Sequence, residues 1–367
     1  MNAGSPLPIV VRRARTADRE AVLSFATRTW NGWDYIPEAW DGWLSAGDGV
    51  LLVATPALEL AGDSAVDANG LPLEPDRPIA MTHLLMQSPT EAWLEGIRVD
   101  PRVRGRSVAT HLQIAELAWA RAQGARVIRY TTDETNEGSH RLGARHGLMV
   151  IAGWRRYSRH ADVPATKEPI DPELLGAGLS GRGLLVRPDP GERERWWARV
   201  TADPTFICGG RLYERDTWDW QELTPGLFAE HVASGEVLGI EDRTGWGLAI
   251  APSRDEMEEP AHPLMIRSLL GGPEPAIKLA RALEELTGRE VRLRLPDPDP
   301  PILRGRESWF CDLGYEPGDR ALHILARSLE GPLPDAAGMV IYGEPPSPLT
   351  VPRTGRSASS GWMVRTE

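Results

Sequence analysis

At 367 residues the chain is long for one compact domain and suits two, and its 41% hydrophobic and 25% charged residues describe a folded protein rather than a disordered one. The formal net charge of −11 excludes a surface built to track phosphate backbones, so no nucleic-acid partner is expected. Cys208 and Cys311 are too few for a disulfide framework and no apolar run reaches the length of a membrane span. Met1 to Pro8 lacks the segments of a secretory signal, and together these features predict a cytoplasmic protein with no membrane partner.

In chain order, Ile9 to Arg13 reads as a strand leading into a helix from about Arg19 to Thr29, with Thr16 and Asp18 as capping candidates. The aromatic segment Trp30 to Trp43, interrupted by Gly32 and Pro37, either lines a pocket or closes the core under a loop. Val50 to Ala54, Ile79 to Met86 and Ala92 to Val99 read as strands, the first two separated by a polar insertion at Asp63 to Arg77. From Ser107 to Gln123 the apolar residues Val108, Leu112, Ala115 and Trp119 recur at helical spacing, and Gly124 stops the helix. Arg126 to Tyr130 is a short strand, Glu137 to His146 a helix stopped by Gly147, and Leu148 to Ser158 a last strand pair or hairpin. A first domain over 1–159 is therefore expected, then a Pro- and Gly-rich linker at 160–183.

Beyond the linker the pattern partly repeats. A helix through Leu279, Leu283 and Leu286 stops at Gly288, a strand follows at Glu290 to Leu295, and a helix from Leu303 to Leu313 stops at Gly314. Gly124 and Gly288 are 164 positions apart and Gly147 and Gly314 are 167 apart, which suggests a diverged internal duplication. The expected second domain covers 184–330, with Trp196, Trp197, Trp218 and Trp220 as core or interface candidates. An irregular tail follows at 331–367, with an edge strand possible at Met339 to Tyr342.

The chemistry concentrates between the strand ending at Val99 and the helix from Ser107. Successive N–H groups in a strand–turn–helix connection converge on one point, where the helix dipole adds partial positive charge, and such a turn can hold a pyrophosphate. Arg104 and Arg106 would add guanidinium contacts.

The stretch GIRVDPRVRGRSVATHL resembles motif A of the GNAT acetyltransferases, with Arg104 and Ala109 matching the signature and Ser107 standing where its first glycine is usual. RRARTADREAV and TTDETNEGSHRLGARHGL resemble that family's first strand–helix and last helix, so the likeness covers most of residues 9 to 158. It implies an α/β fold with a mixed sheet, here as tandem GNAT-like domains, and acetyl-CoA as co-substrate. The implied cofactor contacts are Ile97, Arg98 and Val99 on a bulged strand, the turn Arg104, Gly105, Arg106, Ser107, Val108, Ala109 and Thr110, and Asn136, whose other reading is a helix cap. Where the family often carries a tyrosine that protonates the departing thiolate, this chain has Gly143; a water, Tyr35, Tyr130 or the amine's own proton could substitute.

An aliphatic amine is mostly protonated at neutral pH, and each unit of pKa above ambient costs about 1.4 kcal/mol, so a base assists. Glu95, on the same strand face as Ile97 and Val99, is the first candidate and Asp133 the second; an arginine partner for Glu95 is the competing reading. WNGWDYIPEAWDGWL combined with the motif above is similar to the histidine N-acetyltransferase group, whose second half is a degenerate copy. Asp34 could pair with the cation of a small amine while Tyr35 and Trp40 stack on a planar group. The second half's turn, Gly271 to Pro275, loses donors at two prolines and offers a carboxylate to a phosphate. No HExxH or GxSxG pattern occurs, and no metal is expected. The alternatives are a non-catalytic acyl-CoA sensor and a tandem acetyltransferase of thiol biosynthesis; oligomeric state is not readable.

Overall fold

The computed structural model describes residues 5–29, 32–62, 65–158, 185–251, 264–287, 290–297, 311, 314–335, 337–343 and 348–349. The expected linker, nearly all of the helix expected at 303–313 and the tail beyond 349 lie outside them.

The chain forms two compact units, but they do not follow one another along the sequence. The first comprises 1–131, 137–149 and 325–367, and the second 132–136 and 150–324. This differs from a boundary at 159, because the last strand of the sequence's first half belongs to the second unit and the end of its second half to the first.

The first unit is built on strands β1 (Ile9–Arg13), β2 (Gly49–Pro56), β3 (Ala80–Ser88), β4 (Glu91–Val99) and all but the last two residues of β5 (Val127–Asp133), and its helices are α1 (Arg19–Leu23), α2 (Ile36–Ser45), α3 (Leu58–Ala61), α4 (Val108–Ala122) and α5 (Glu137–Arg145). β1 to β4 pair antiparallel in sequence order, and β4 pairs parallel with β5. Mixed pairing of this kind is the expected α/β class.

Strand alternation assigns the two faces. Val50, Leu52, Ala54, Leu84 and Met86 share a core with Leu112, Ala115 and Trp119 of α4, whereas Leu51, Val53 and Met81 pack with Ile36, Ala39, Trp40 and Trp43 of α2. Burial on both faces makes β2 and β3 near-continuous apolar runs. α1 stops at Leu23, short of the expected Thr29, where the Ser24 hydroxyl donates to the Ala21 carbonyl at 2.6 Å and competes with the helical ladder. The aromatic segment contains a helix, because Pro37 falls in the first turn of α2, where its missing N–H costs nothing.

In the second unit β6 (Met149–Ser158) is one strand rather than a hairpin: Gly153 is not in the left-handed region and no turn interrupts the run. The following elements are β7 (Leu185–Val186), the helix Arg193–Ala202, the hairpin β8 (Leu212–Asp216) and β9 (Asp219–Glu222), β10 (Val237–Asp242), β11 (Gly245–Ile250), β12 (Leu264–Ile266), β13 (Ser268–Gly271), the helix Pro273–Thr287, β14 (Val291–Pro296) and β15 (Glu316–Ser328). β7, β10, β11 and β13 form an antiparallel sheet, while β14 pairs parallel with β12 and antiparallel with β6. Trp196 and Trp220 are buried in this unit. β15, absent from the sequence reading, crosses from the second unit into the first at Leu325, and β16 (Val340–Tyr342) returns beside β1 in parallel, as the edge strand anticipated there.

Candidate active site

The site begins with a break in β4. Met81 pairs with Arg98 but His83 pairs with Glu95, so Gly96 and Ile97 oppose Thr82 alone and form a bulge. Gly96 has φ +73°, and a Cβ there would lie 2.6 Å from the Trp43 ring. Both facts require glycine. The parallel ladder to β5 covers only Glu91 to Trp93, so from Leu94 onward the β5-facing edge of β4 has no strand partner among the described residues. That edge lies on the strand for which a bulge was expected.

Beyond Val99 the chain runs through a 3-10 turn, Pro101–Val103, capped by Asp100, whose carboxylate accepts the Arg102 N–H at 2.9 Å. Gly105 has φ +77°, and Ser107, the N-cap of α4, sits at φ +62°, ψ +11°. Left-handed serine costs about 1–2 kcal/mol, which fits a position where glycine is usual. The first helical bond is His111 N–H to the Ser107 carbonyl, at 2.9 Å. Among the described residues none accepts from the N–H groups of Gly105, Ser107, Val108, Ala109 or Thr110. Five donors at a helix N-terminus are an anion cradle. Arg104 is exposed beside it, its Nε 3.4 Å from the Val99 carbonyl. Arg106 is not beside it: its guanidinium is buried and donates to the carbonyls of Ser5 and Val66, which makes it a strut beneath the loop rather than a phosphate ligand.

Glu95 flanks the bulge, paired with His83. Its Oε1 lies 2.8 Å from His83 Nδ1, not on an arginine, and its side chain is partly exposed. The arginine on this strand is committed elsewhere. Arg98 grips Asp34 through two bonds of 2.8 and 2.9 Å, and Asp34 also accepts from Thr29 Oγ1 and, at 3.2 Å, from the Ile36 N–H. Asp34 is thus a buried strap between the aromatic segment and β4 rather than an acceptor for an amine. Tyr35 has Arg98 5.2 Å above its ring and Trp43 edge-on at 5.8 Å, and burial pushes its phenol up to about 12. Trp40 lies in the core. Of the three residues expected to hold substrate, Asp34 and Trp40 are buried and Tyr35 is partly buried against the same core.

Asp133 caps its own turn. Burial would raise its pKa, but bonds from the Thr135 N–H and hydroxyl at 2.8 and 2.6 Å, with Arg320 beyond, hold it below the usual carboxylate range and weaken it as a base. Asn136 is exposed immediately before α5. At Gly143 a Cβ would come 2.3 Å from the Tyr130 hydroxyl, which donates to the Ser139 carbonyl at 2.8 Å. The space above that helix position is filled from β5 by another phenol, held at about 12 by burial.

Residues 62–148 match the model of the Acetyltransferase (GNAT) family, a span that contains the bulged strand, the donor loop and α5. The chain carries a GNAT acetyltransferase domain. Among solved structures, a GCN5-related N-acetyltransferase from Sphaerobacter thermophilus shares the fold at 16% identity, with TM-score 0.52, over 89% of this chain and 97% of that one. An acetyltransferase structure from Thermoplasma acidophilum aligns at 15% identity and TM-score 0.44 over 87% of this chain and 99% of that one. No curated protein matches the chain.

The second unit also has a strand-to-helix junction, between β13 and the helix Pro273–Thr287. Around Arg267 the chain is split between two partners, β13 pairing with β11 and β12 with β14. The Arg267 carbonyl accepts from the Glu214 N–H at 3.0 Å, so β8 lies along that break, and Glu214 also pairs with buried Arg294 of β14. The junction to the helix is Gly272 alone, where the acetyltransferase domain has eight residues, 100 to 107. Asp203 accepts the Gly271 N–H at 2.9 Å and the Trp246 carbonyl accepts that of Gly272 at 2.9 Å.

One further cluster, Glu134, Asp297 and His323, has the residue types for a cation, but Arg155 lies 3.7 and 3.4 Å from its two carboxylates and balances their charge. Among the described residues no helix is long and apolar enough to cross a membrane. Sequence reading missed His83, Trp43 and Thr82; the one local signal was a histidine inside an otherwise apolar strand.

Proposed function

We propose that the protein is an acetyl-CoA-dependent N-acetyltransferase acting on the amine of a small molecule, with an amino acid such as histidine as the acceptor class. The observation that carries this reading is the set of N–H groups of Gly105, Ser107, Val108, Ala109 and Thr110, with no acceptor among the described residues, at the foot of a β4 whose ladder to β5 ends at Trp93. Such a cradle fits a pyrophosphate, and the free strand edge fits an extended amide-bearing arm lying along it as an added strand.

The acetyl thioester would then end near the bulge, beside Glu95. Glu95 removes one proton from the ammonium, directly or through a water, and the freed nitrogen attacks the thioester carbonyl. As the carbon–sulfur bond breaks, the second nitrogen proton passes to the departing sulfur. Tyr130 fills the position opposite Gly143, but its one hydroxyl proton is already given to the Ser139 carbonyl, so the nitrogen's own proton serves the sulfur. The second unit serves as scaffold, since its counterpart of the loop is absent.

The test is to incubate the protein with acetyl-CoA and a panel of amino acids, aminated sugars and peptides and to follow acetylated product by mass spectrometry alongside release of free thiol. Acetylated amino acid is expected. Tight CoA binding with no turnover on any acceptor would reduce the protein to a CoA-binding module, and turnover on an aminated sugar alone would replace the acceptor class.

A further inference from the structure

Glu95 has a partner that the reaction as described does not use. His83 on β3 is buried, with Nδ1 2.8 Å from Glu95 Oε1. Its other nitrogen, Nε2, is enclosed without a hydrogen-bond partner, and a Cβ at Gly49 would lie 2.5 Å from it. A proton on Nε2 would be a buried donor with no acceptor, so the ring carries its proton on Nδ1, the nitrogen facing the carboxylate. Trp43 stacks on the imidazole at 4.5 Å with the planes 5° apart, which removes rotation about the last side-chain bond. Trp43 can reach the ring because residue 96 has no side chain: a Cβ on Gly96 would collide with it. The circuit closes on itself. The bulge glycine admits Trp43, Trp43 fixes His83, and His83 holds one oxygen of the residue next to that glycine.

We infer that His83 is a positioning residue for Glu95: its Nδ1–H pins Oε1, fixes the carboxylate rotamer and leaves Oε2 as the basic atom presented to the acceptor amine. This deepens the proposed reaction and rests on Glu95 being its base. The charged and titratable groups that share the corner are Arg98 on β4 and Asp34 and Tyr35 ahead of α2; Arg98 and Asp34 satisfy each other, and Tyr35 is held at about 12.

Two variants separate the donor from the packing. His83→Phe retains a ring for Trp43 and removes the donor; His83→Asn retains an N–H near the Nδ1 position and removes the stack. His83→Phe is expected to lower kcat about 10- to 100-fold with the KM for acetyl-CoA unchanged, because a misplaced base costs that much without touching the cofactor loop. His83→Asn is expected to recover most of the rate and the shape of the pH profile. Independently of activity, the nitrogen NMR spectrum of the wild-type protein should show His83 protonated at Nδ1, and that signal should shift in Glu95→Gln. A His83→Phe variant with wild-type kcat and pH profile, or a His83 protonated at Nε2, overturns the inference. If Glu95→Gln itself retains full activity, the base assignment fails instead, so the two failures are distinguishable.

Discussion

The two strand-to-helix junctions of this chain begin from similar parts and end in opposite states. In the first unit β4 and α4 are separated by eight residues, 100 to 107, and five N–H groups there and in the first turn of α4 have no acceptor among the described residues. In the second unit a single glycine separates β13 from a helix of the same fifteen-residue length, and the nearby donors are taken by Asp203 and by the Trp246 carbonyl. The same contrast holds one layer deeper. The break in β4 leaves a free edge beside β5, whereas β8 lies along the break between β12 and β13, tied by Glu214 to Arg267 and Arg294. A fold element becomes a binding site when its polar groups are left unspent, and the second unit has spent them internally.

Variants can break or sharpen that contrast. The largest effects should come from the buried ion pairs that hold each arrangement. Asp34→Ala strands Arg98 and should cost the first unit about 3–5 kcal/mol, and Glu214→Ala should do the same to the second by stranding Arg294, both read by denaturant unfolding. Neither should create a new cofactor site. A rise in acceptor KM in Asp34→Ala at unchanged stability would return Asp34 to the substrate role.

Next in size is Thr110→Pro, which gives α4 the proline that the other helix carries at its third position, Pro275. Proline is tolerated in a first helical turn, so the fold should survive, but one cradle donor is lost. CoA should bind about 1.5–3 kcal/mol more weakly by calorimetry, the value of a hydrogen bond to a charged group.

A smaller, pH-dependent effect is expected at Glu116, the ninth residue of α4, which is buried and bonded to Thr82; its counterpart, Arg281, is exposed. Burial raises the Glu116 carboxyl to about 8, opposed only partly by Thr82. The folded state therefore keeps a proton that the unfolded chain releases, so stability should decline as pH rises from about 4.5 to about 8, the ordinary and the raised values. Glu116→Gln should flatten this slope in a series of melting curves. Smallest of all, Ser107→Gly should raise stability by about 0.5–1 kcal/mol, as relief of left-handed serine is offset in part by the added freedom of glycine in the unfolded chain.

The local parts of the site were legible because their signals are local. The spacing of Val108, Leu112, Ala115 and Trp119 declares α4, and RGRSVA following a strand declares the loop. What stayed hidden depends on partners far apart in sequence. Asp34 offers a carboxylate to the eye, but only the fold brings Arg98 to it from 64 positions away. Arg106 reads as a phosphate ligand until Ser5 and Val66 are found to have claimed it. His83 gains meaning only when β3 and β4 pair out of step. The division into units was illegible for the same reason, since nothing local in Met149 to Ser158 records that this strand pairs with Arg292 to Pro296.

Titration of CoA into the purified full-length chain by isothermal calorimetry tests the contrast most directly. One equivalent per chain, weakened by Thr110→Pro and unaffected by loss of Glu214, is the predicted result. Two equivalents, or one that persists unchanged in Thr110→Pro, would contradict it.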